Sequence, residues 1–517
     1  MARLIAAVDV GTGSARAGVF DARGRMLGRG EVAIETRVEG LHAEQDSEEI
    51  WAAVCAALAA ARDEAGAGEV AGLAFDATCS LVLRDAAGAP VAAGAQGGDR
   101  WDTVLWLDHR ARAEAEECTR TGHRVLEHLG GVMSPEMAIP KLMWLKRHLP
   151  ASWARAARIM DLSDYLAWRA NGTGARSVCT LACKWGWAEG WPEDFLVAVG
   201  LGDLAARTGV PQVATPVGAD LGPVAAAELA VGPGARLGCG LIDAHAGALG
   251  VLGHLAGDAG VERRLALIGG TSSCLMGFAP APRPAPGLWG PHRGVALPGL
   301  WLREGGQSVS GALLDHVIRS FGGGLEPTPA THARIAARIG ELRAGEPDLA
   351  GELHVLPDFR GNRAPLADAR ALGMIAGLDM GEGFDALCRL YWRTAVGLAL
   401  GLRQILAHFA EHGVAAEVLH AAGGHARSPM LMALYADATG VPVVEPAAPD
   451  PVLLGTAMVA ATAAGLYPDL GAAARAKSQG GVLRRPDPAA AGRMARDWRA
   501  FQMLQRQRAE LAEIGAG

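Results

Sequence analysis

Leu4-Ile5-Ala6-Ala7-Val8-Asp9-Val10-Gly11-Thr12-Gly13-Ser14-Ala15-Arg16-Ala17-Gly18-Val19-Phe20 is the stretch on which the fold turns. Residues 4–8 form a short apolar run with β-branched members, which reads as a buried strand. The run ends in an acid and a glycine-rich tip, and residues 16–20 return at once as a second strand. Asp21-Ala22-Arg23-Gly24 makes a turn into a third run over residues 26–34. The spacing predicts a β-hairpin with a Gly-rich tip, extended into a meander.

Working outward, Asp46-Ser47-Glu48-Glu49 opens an amphipathic helix through residue 62, with acids in its first turn. Residues 70–75 read as a buried strand that ends in Asp76-Ala77-Thr78-Cys79-Ser80, and Trp106-Leu107-Asp108-His109-Arg110 closes another strand-like run. Helical patterns cover 140–147 and 163–170. Residues 237–241 read as a strand leading to Asp243-Ala244-His245. Residues 265–268 repeat the opening plan, a strand followed by Gly269-Gly270-Thr271-Ser272-Ser273. Helices are expected over 310–321, 384–411 and 429–439, the last directly after the strand 418–421 and Ala422-Gly423-Gly424-His425-Ala426-Arg427-Ser428. Two similar tips, one opening each half, point to two α/β domains of like plan.

The bulk properties narrow the function. A chain of 517 residues exceeds one ordinary core, and its 50% hydrophobic and 20% charged residues suit a globular protein. A net charge of −7 gives no electrostatic reason to expect nucleic acid or an anionic membrane as partner. No apolar run has the length of a membrane span, and the N-terminus carries no signal-peptide core, so a cytoplasmic location is expected. The eight cysteines do not cluster as a disulfide framework. Cys179 and Cys183 stand four apart, but no second pair and no histidine follows at zinc spacing, so buried free thiols are expected. Lysine occurs only at positions 141, 146, 184 and 477, which makes each one worth inspection.

The chemistry resides in three Gly-rich tips: residues 11–14, 269–273 and 423–428. Glycine lets backbone N–H groups approach a phosphate, and Thr and Ser add hydroxyl donors. A single tip is ordinary turn chemistry; three of them in two halves favour a bound nucleotide. The dinucleotide fingerprint fails because its third position is Arg16 and the loop enters a strand. No Gly-Lys pair exists for a Walker loop, and Gly306-Gln307-Ser308-Val309-Ser310-Gly311 misses the spacing of a nucleophile elbow. Asp9 at a strand end suits Mg²⁺ held through water beside phosphates, with an Asx turn as the alternative. Asp243 ends another strand. Taken alone it reads as a helix cap; beside a phosphate donor it suits a base that accepts a hydroxyl proton.

Asp9-x-Gly11-Thr12-Gly13-Ser14-x-Arg16, Gly269-Gly270-Thr271-Ser272, Glu304-Gly305-Gly306-Gln307-Ser308 and Ala422-Gly423-Gly424-x-x-x-Ser428 fall in an order that resembles the FGGY-family carbohydrate kinases, within the actin-like, sugar kinase and Hsp70 superfamily. The resemblance covers nearly the whole chain. It implies an α/β fold of two ribonuclease-H-like domains around a deep cleft. The expected spans are 1–255 with the sugar site and first phosphate loop, 256–490 with the second phosphate loop and adenosine site, and a helix over 491–517. The implied ligands are ATP, Mg²⁺ and a small sugar; dimers among such kinases make a homodimer a further expectation.

The roles it implies are residue by residue. Gly11, Thr12, Gly13, Ser14 and Arg16 resemble the first phosphate loop, and Asp9 its metal-linked carboxylate. Gly270 and Thr271 resemble the second phosphate loop. Gly423 and Gly424, with Gln307, resemble the adenosine site, and Asp243 the general base. Phe75-Asp76-Ala77-Thr78-Cys79-Ser80-Leu81-Val82, Trp106-Leu107-Asp108-His109-Arg110, Cys183-Lys184-Trp185 and Leu356-Pro357-Asp358-Phe359-x-Gly361-Asn362-Arg363 look like the ribulokinase group, the first run most like its D-ribulokinase branch. Ser80, Asp108, Lys184 and Asp243 are the candidate sugar contacts, with a surface lysine lying along Trp185 as the alternative for Lys184. The implied reaction is transfer of the γ-phosphoryl group of ATP to the terminal hydroxyl of a ketopentose. L-ribulose, D-xylulose or a tetritol as acceptor, and a catalytically silent sugar sensor, stay open.

Overall fold

The computed structural model describes residues 3–94, 96–209, 211–212, 219–232 and 234–516. The chain forms two compact units. One comprises residues 1–261, 277–303 and 447–480; the other comprises 262–276, 304–446 and 481–517. The units interleave, where the sequence suggests contiguous spans of 1–255, 256–490 and 491–517.

In the first unit the strand Arg3–Val10 lies at the centre of a sheet ordered Ala219–Asp220, Arg236–Leu237, Glu69–Ala77, Arg3–Val10, Ser14–Phe20, Met26–Ala33. It is buried from Leu4 to Val10 because both sheet faces are covered. The helix Ser47–Ala65 packs on Ser14–Phe20 and Met26–Ala33. Its N-cap is Asp46, whose carboxylate accepts the Glu48 and Glu49 N–H groups. The helix Pro451–Ala463 packs on Arg3–Val10 and Glu69–Ala77. It is almost wholly buried, as expected of an apolar helix with no polar face. That burial draws 447–480 into the first unit.

The second unit carries parallel strands Arg264–Gly269, Val418–Ala422 and Val443–Pro446, with Gly481–Arg484 antiparallel at the end. The long helix Gly383–Glu411 supplies much of its core. The helix Ala491–Ala516 is tied to it by a buried Arg393–Asp497 ion pair at 2.6 Å.

Two local expectations are corrected. Residues 106–110 are turn, not strand; the strand is Thr103–Val104, paired with His42–Gln45 and Leu81–Arg84. The buried Lys141 ammonium donates to the Leu105 and Trp106 carbonyls at 2.7 and 2.8 Å and so takes backbone groups that a strand would need. Residues 237–241 are not one strand either. Arg236–Leu237 pairs with Gly72 and Leu73, then Leu241–Ile242 pairs with Asp76 and Ala77.

The helix Asp243–Leu252 lies hard against Pro451–Ala463. A methyl group on Gly455 would stand 2.0 Å from the Ala246 carbonyl oxygen, so only glycine permits the approach. Gly455→Ala is expected to cost about 1–3 kcal/mol by overpacking. Gly340→Ala, within the helix Pro329–Gly345 and facing open space, is expected to gain about 0.5–1 kcal/mol. Urea unfolding of both variants checks this; shifts of the same sign would contradict the packing argument.

Candidate active site

Strand register assembles the site. Asp9 pairs across the sheet with Asp76 on its parallel neighbour and with Arg16 on its antiparallel one. Leu241–Ile242 runs parallel to the end of Glu69–Ala77, so Asp243 emerges beside Asp76 at the same edge. Three parallel strands therefore deliver three carboxylates to their carboxyl ends, where open α/β sheets bind ligands. Asp450 caps the helix Pro451–Ala463 by accepting the Leu453 N–H at 3.3 Å. One turn on, the Thr456 hydroxyl donates to Asp76 Oδ2.

This edge is short of positive charge. Asp9 and Asp76 are fully buried. Arg16 forms an ion pair with Asp9 and stands 3.9 Å from Asp450. Despite the ion pair, neither Asp9 oxygen has a well-aligned hydrogen-bond donor among the described residues, nor has Asp76 Oδ1. Burial pushes the Asp9 carboxyl up to about 7 against the pull of Arg16, with Asp450 and Asp243 adding to the rise. Asp76 is raised well above the carboxylate range, first by burial and then by the charge of Asp9. Asp243 is half-buried. Its carboxyl is raised by burial, opposed by the Ala244 N–H at 2.7 Å and by the charges of Arg16, His245 and Lys184. Buried carboxylate oxygens without donors fit a hard divalent cation such as Mg²⁺, which takes oxygen ligands and offsets like charges.

The loop between the first two strands is held from behind. Thr12 offers its carbonyl to Gln45 Nε2 at 2.8 Å and its hydroxyl to Trp106 Nε1 at 3.1 Å. Ser14 donates to Glu31 at 3.0 Å. Gly13 has no neighbour within 4 Å of the position a Cβ would take, and its backbone does not require glycine. The open space in front of it fits a phosphate approaching the main chain.

The expected sugar contacts differ in what they offer. Lys184 is buried, not a surface lysine along Trp185; its ammonium lies 4.1 Å from the Trp289 ring centroid. Ser80 is fully buried, its hydroxyl shared with Thr78 at 3.1 Å and the Trp106 N–H at 3.3 Å. The Asp108 carboxylate is enclosed by the Ala43 N–H at 2.6 Å and by the Arg110 backbone and guanidinium at 2.7–3.0 Å. Both residues thus knit the 105–110 turn to its surroundings. The structure adds Asp161, buried beside the charge of Lys184, with its carboxyl raised by burial.

Gly270, Thr271, Gln307, Gly423 and Gly424 lie in the second unit. The Gly270 carbonyl accepts the Gly311 N–H and the Ser310 hydroxyl, while Thr271 is exposed. A Cβ at Gly270 would meet nothing nearer than the Ser272 carbonyl oxygen at 4.0 Å, so there too a side chain would fit. Gly423 sits at φ +80°, with its Cβ position 2.5 Å from the Gly269 carbonyl, so the turn requires glycine. Gln307 donates to the Leu398 carbonyl at 2.9 Å. His425 is buried beneath these loops, bonded to the Tyr435 hydroxyl at 2.8 Å, and burial lowers its pKa to about 4.

Sequence reasoning missed Asp76, Asp450 and Thr456 as members of the first cluster. Asp76 was legible as an acid at a strand end; its partners became visible only through pairing and helix packing.

Buried carboxylates suited to a cation and glycine loops with room beside the main chain are compatible with phosphate chemistry. The chain belongs to the FGGY family of carbohydrate kinases: residues 4–184 match its N-terminal domain and residues 265–464 its C-terminal domain. It is a carbohydrate kinase, and kinases of this family use ATP as phosphate donor. An FGGY carbohydrate kinase domain-containing protein of Danio rerio is 40% identical over 98% of this chain and 98% of its own. A D-ribulokinase of Saccharomyces cerevisiae is 33% identical over 89% of this chain and 72% of its own. The structure of a ligand-bound xylulose kinase from Lactobacillus acidophilus matches with a TM-score of 0.80 at 18% identity, covering 98% of each chain; it shares the two-domain sugar-kinase fold. No helix among the described residues is long and apolar enough to cross a membrane.

The acidic cluster makes a prediction about stability. A carboxyl whose pKa is raised on folding holds a proton that the unfolded chain releases, so its contribution grows less favourable as pH rises. Asp76→Asn is therefore expected to raise the thermal midpoint at pH 8, with a smaller gain at pH 5, while lowering turnover. Thermal unfolding at the two pH values checks this. A loss of stability at pH 8, or a gain independent of pH, would contradict the charge argument.

Proposed function

We propose that this kinase phosphorylates a ketopentose at its terminal hydroxyl, with D-ribulose as the preferred acceptor. The observation that carries the reaction is the meeting of Asp243, Asp76 and Asp9 at one strand edge. The D-ribulokinase relative and the run from Phe75 to Val82 support the choice of sugar.

Asp243 accepts the proton of the attacking hydroxyl. Its raised pKa brings it nearer to the operating pH, which favours proton acceptance during transfer. Asp9, with Asp76 beside it, would hold Mg²⁺, which supplies charge neutralisation for the phosphates. Arg16 opposes the rise of the Asp9 carboxyl and holds it in place by their ion pair. The loops with Gly11, Thr12, Gly13 and Ser14 and with Gly270 and Thr271 receive the phosphates of ATP, with open main chain at Gly13 and hydroxyls at Thr12 and Thr271; Gln307, Gly423 and Gly424 receive the adenosine. Lys184 donates to a sugar oxygen. Ser80 and Asp108 serve the sugar site by fixing the turn that bears Trp106. Polar groups fixed in this way reject a sugar lacking the matching hydroxyl, because a buried donor left unpaired is costly.

The test is coupled ADP release with D-ribulose, L-ribulose, D-xylulose, glycerol and erythritol. The expected result is a kcat/KM for D-ribulose at least about tenfold above each other acceptor, within the range one polar contact can provide. A clear preference for another acceptor would overturn the choice of sugar and leave the kinase. Asp243→Asn should lower kcat by about 10²–10⁴ while ATP binding persists; near-normal turnover would remove Asp243 from its role.

A further inference from the structure

The helix Val178–Lys184 carries Cys179 and Cys183 one turn apart, and the helix Asp243–Leu252 brings His245 against them. Cys183 Sγ lies 3.3 Å from His245 Nε2. The ligand-type atoms of the three residues all stand within 4.8 Å of one another. Cys179, Cys183 and His245 are each buried, at 0%, 2% and 1% exposure. Two thiols at i and i+4 without a nearby histidine read as inert in the sequence. The fold supplies the histidine from 62 residues further on.

The geometry is that of a half-formed metal centre. Bond lengths of about 2.3 Å for Zn–S and about 2.0–2.1 Å for Zn–N put two ligands of one tetrahedral ion about 3.5 Å apart. The sulfur–nitrogen separation is already close to this. His245 Nδ1 is buried without a hydrogen-bond partner among the described residues, so the sulfur side is where its ring finds polar contact. Elsewhere among the described residues, Cys118 meets Met143, and Cys274 meets Glu304 and Arg363.

We propose that Cys179, Cys183 and His245 bind one soft, thiophilic d¹⁰ cation of the Zn²⁺ or Cu⁺ kind through Sγ, Sγ and Nε2. Both thiols lose their protons to solvent on binding, and the imidazole binds in its neutral form. Soft sulfur and imidazole ligands exclude Mg²⁺ from this site and separate it from the carboxylate edge. The site has a regulatory position: Cys183 directly precedes Lys184, and His245 lies two residues beyond Asp243. Its test reads binding alone, so it stands apart from the proposed acceptor and from the roles given to those two residues.

The probe is Zn²⁺, titrated into the metal-stripped full chain against a chromophoric chelator, with metal content also measured on chain purified from zinc-supplemented cells. The expected result is one tightly held Zn²⁺ per chain. Cys183→Ser and His245→Gln should each weaken it at least tenfold, while Cys55→Ser, a thiol elsewhere in the unit, leaves it unchanged. Co²⁺ in its place should give a thiolate charge-transfer band that disappears in Cys179→Ser. Circular dichroism identifies any variant that fails to fold, and the remaining variants then decide. Absence of tight Zn²⁺ binding by the wild-type chain would overturn the proposal. So would Zn²⁺ retained undiminished by the folded variants, which would point instead to the partly exposed His408, Glu411 and His412 group.

Discussion

The ion pair between Arg16 and Asp9 is the interaction on which the first unit's chemistry depends. It joins neighbouring strands across the opening hairpin. It sets one guanidinium against Asp9 and Asp450, with Asp450 and Asp243 close enough to add to the burial that raises the Asp9 carboxyl. A buried excess of carboxylate is unfavourable in an empty protein. The surrounding sheet and the two close-packed helices supply the apolar burial that offsets it. The same imbalance is what a cation and a phosphate chain would relieve, so the cost of burying these carboxylates and the proposed binding function have one physical origin.

Glycine acts here in two distinct ways. At Gly455 and Gly423 a side chain would collide with backbone, so the residue is needed for the fold itself. At Gly13 and Gly270 there is no collision and no left-handed backbone. In these two loops the fold alone does not call for glycine, and the proposed approach of a phosphate to the main chain would supply a reason.

Much of this was legible in the sequence. The hairpin at residues 4–20 was readable because two short apolar runs flank a Gly-rich tip. The helix after Asp46 was readable from the acids of its first turn, and the strand–loop–helix at 418–439 from the glycines between strand and helix. What could not be read depended on distant packing. Asp450 and Thr456 join Asp9 because an apolar helix from the last quarter of the chain covers the first sheet. Strand pairing sets Asp243 beside Asp76. Trp106 to Arg110 looked like strand because its apolar residues are buried, yet Lys141 and Asp108 hold it as a turn. The Cys179, Cys183 and His245 group was invisible because spacing along the chain says nothing of a histidine delivered by another helix.

The central claim is that Asp9 belongs to a cation-dependent phosphate site and not merely to a structural ion pair. The most direct test is the Mg²⁺ dependence of ATP-consuming turnover in the wild-type chain and in Asp9→Asn, with ATP saturating. The account predicts that the variant needs about tenfold or more Mg²⁺ for half-maximal activity, the scale on which supporting ligands alter metal affinity. A variant with the same Mg²⁺ curve as the wild type, whatever its absolute rate, would contradict it.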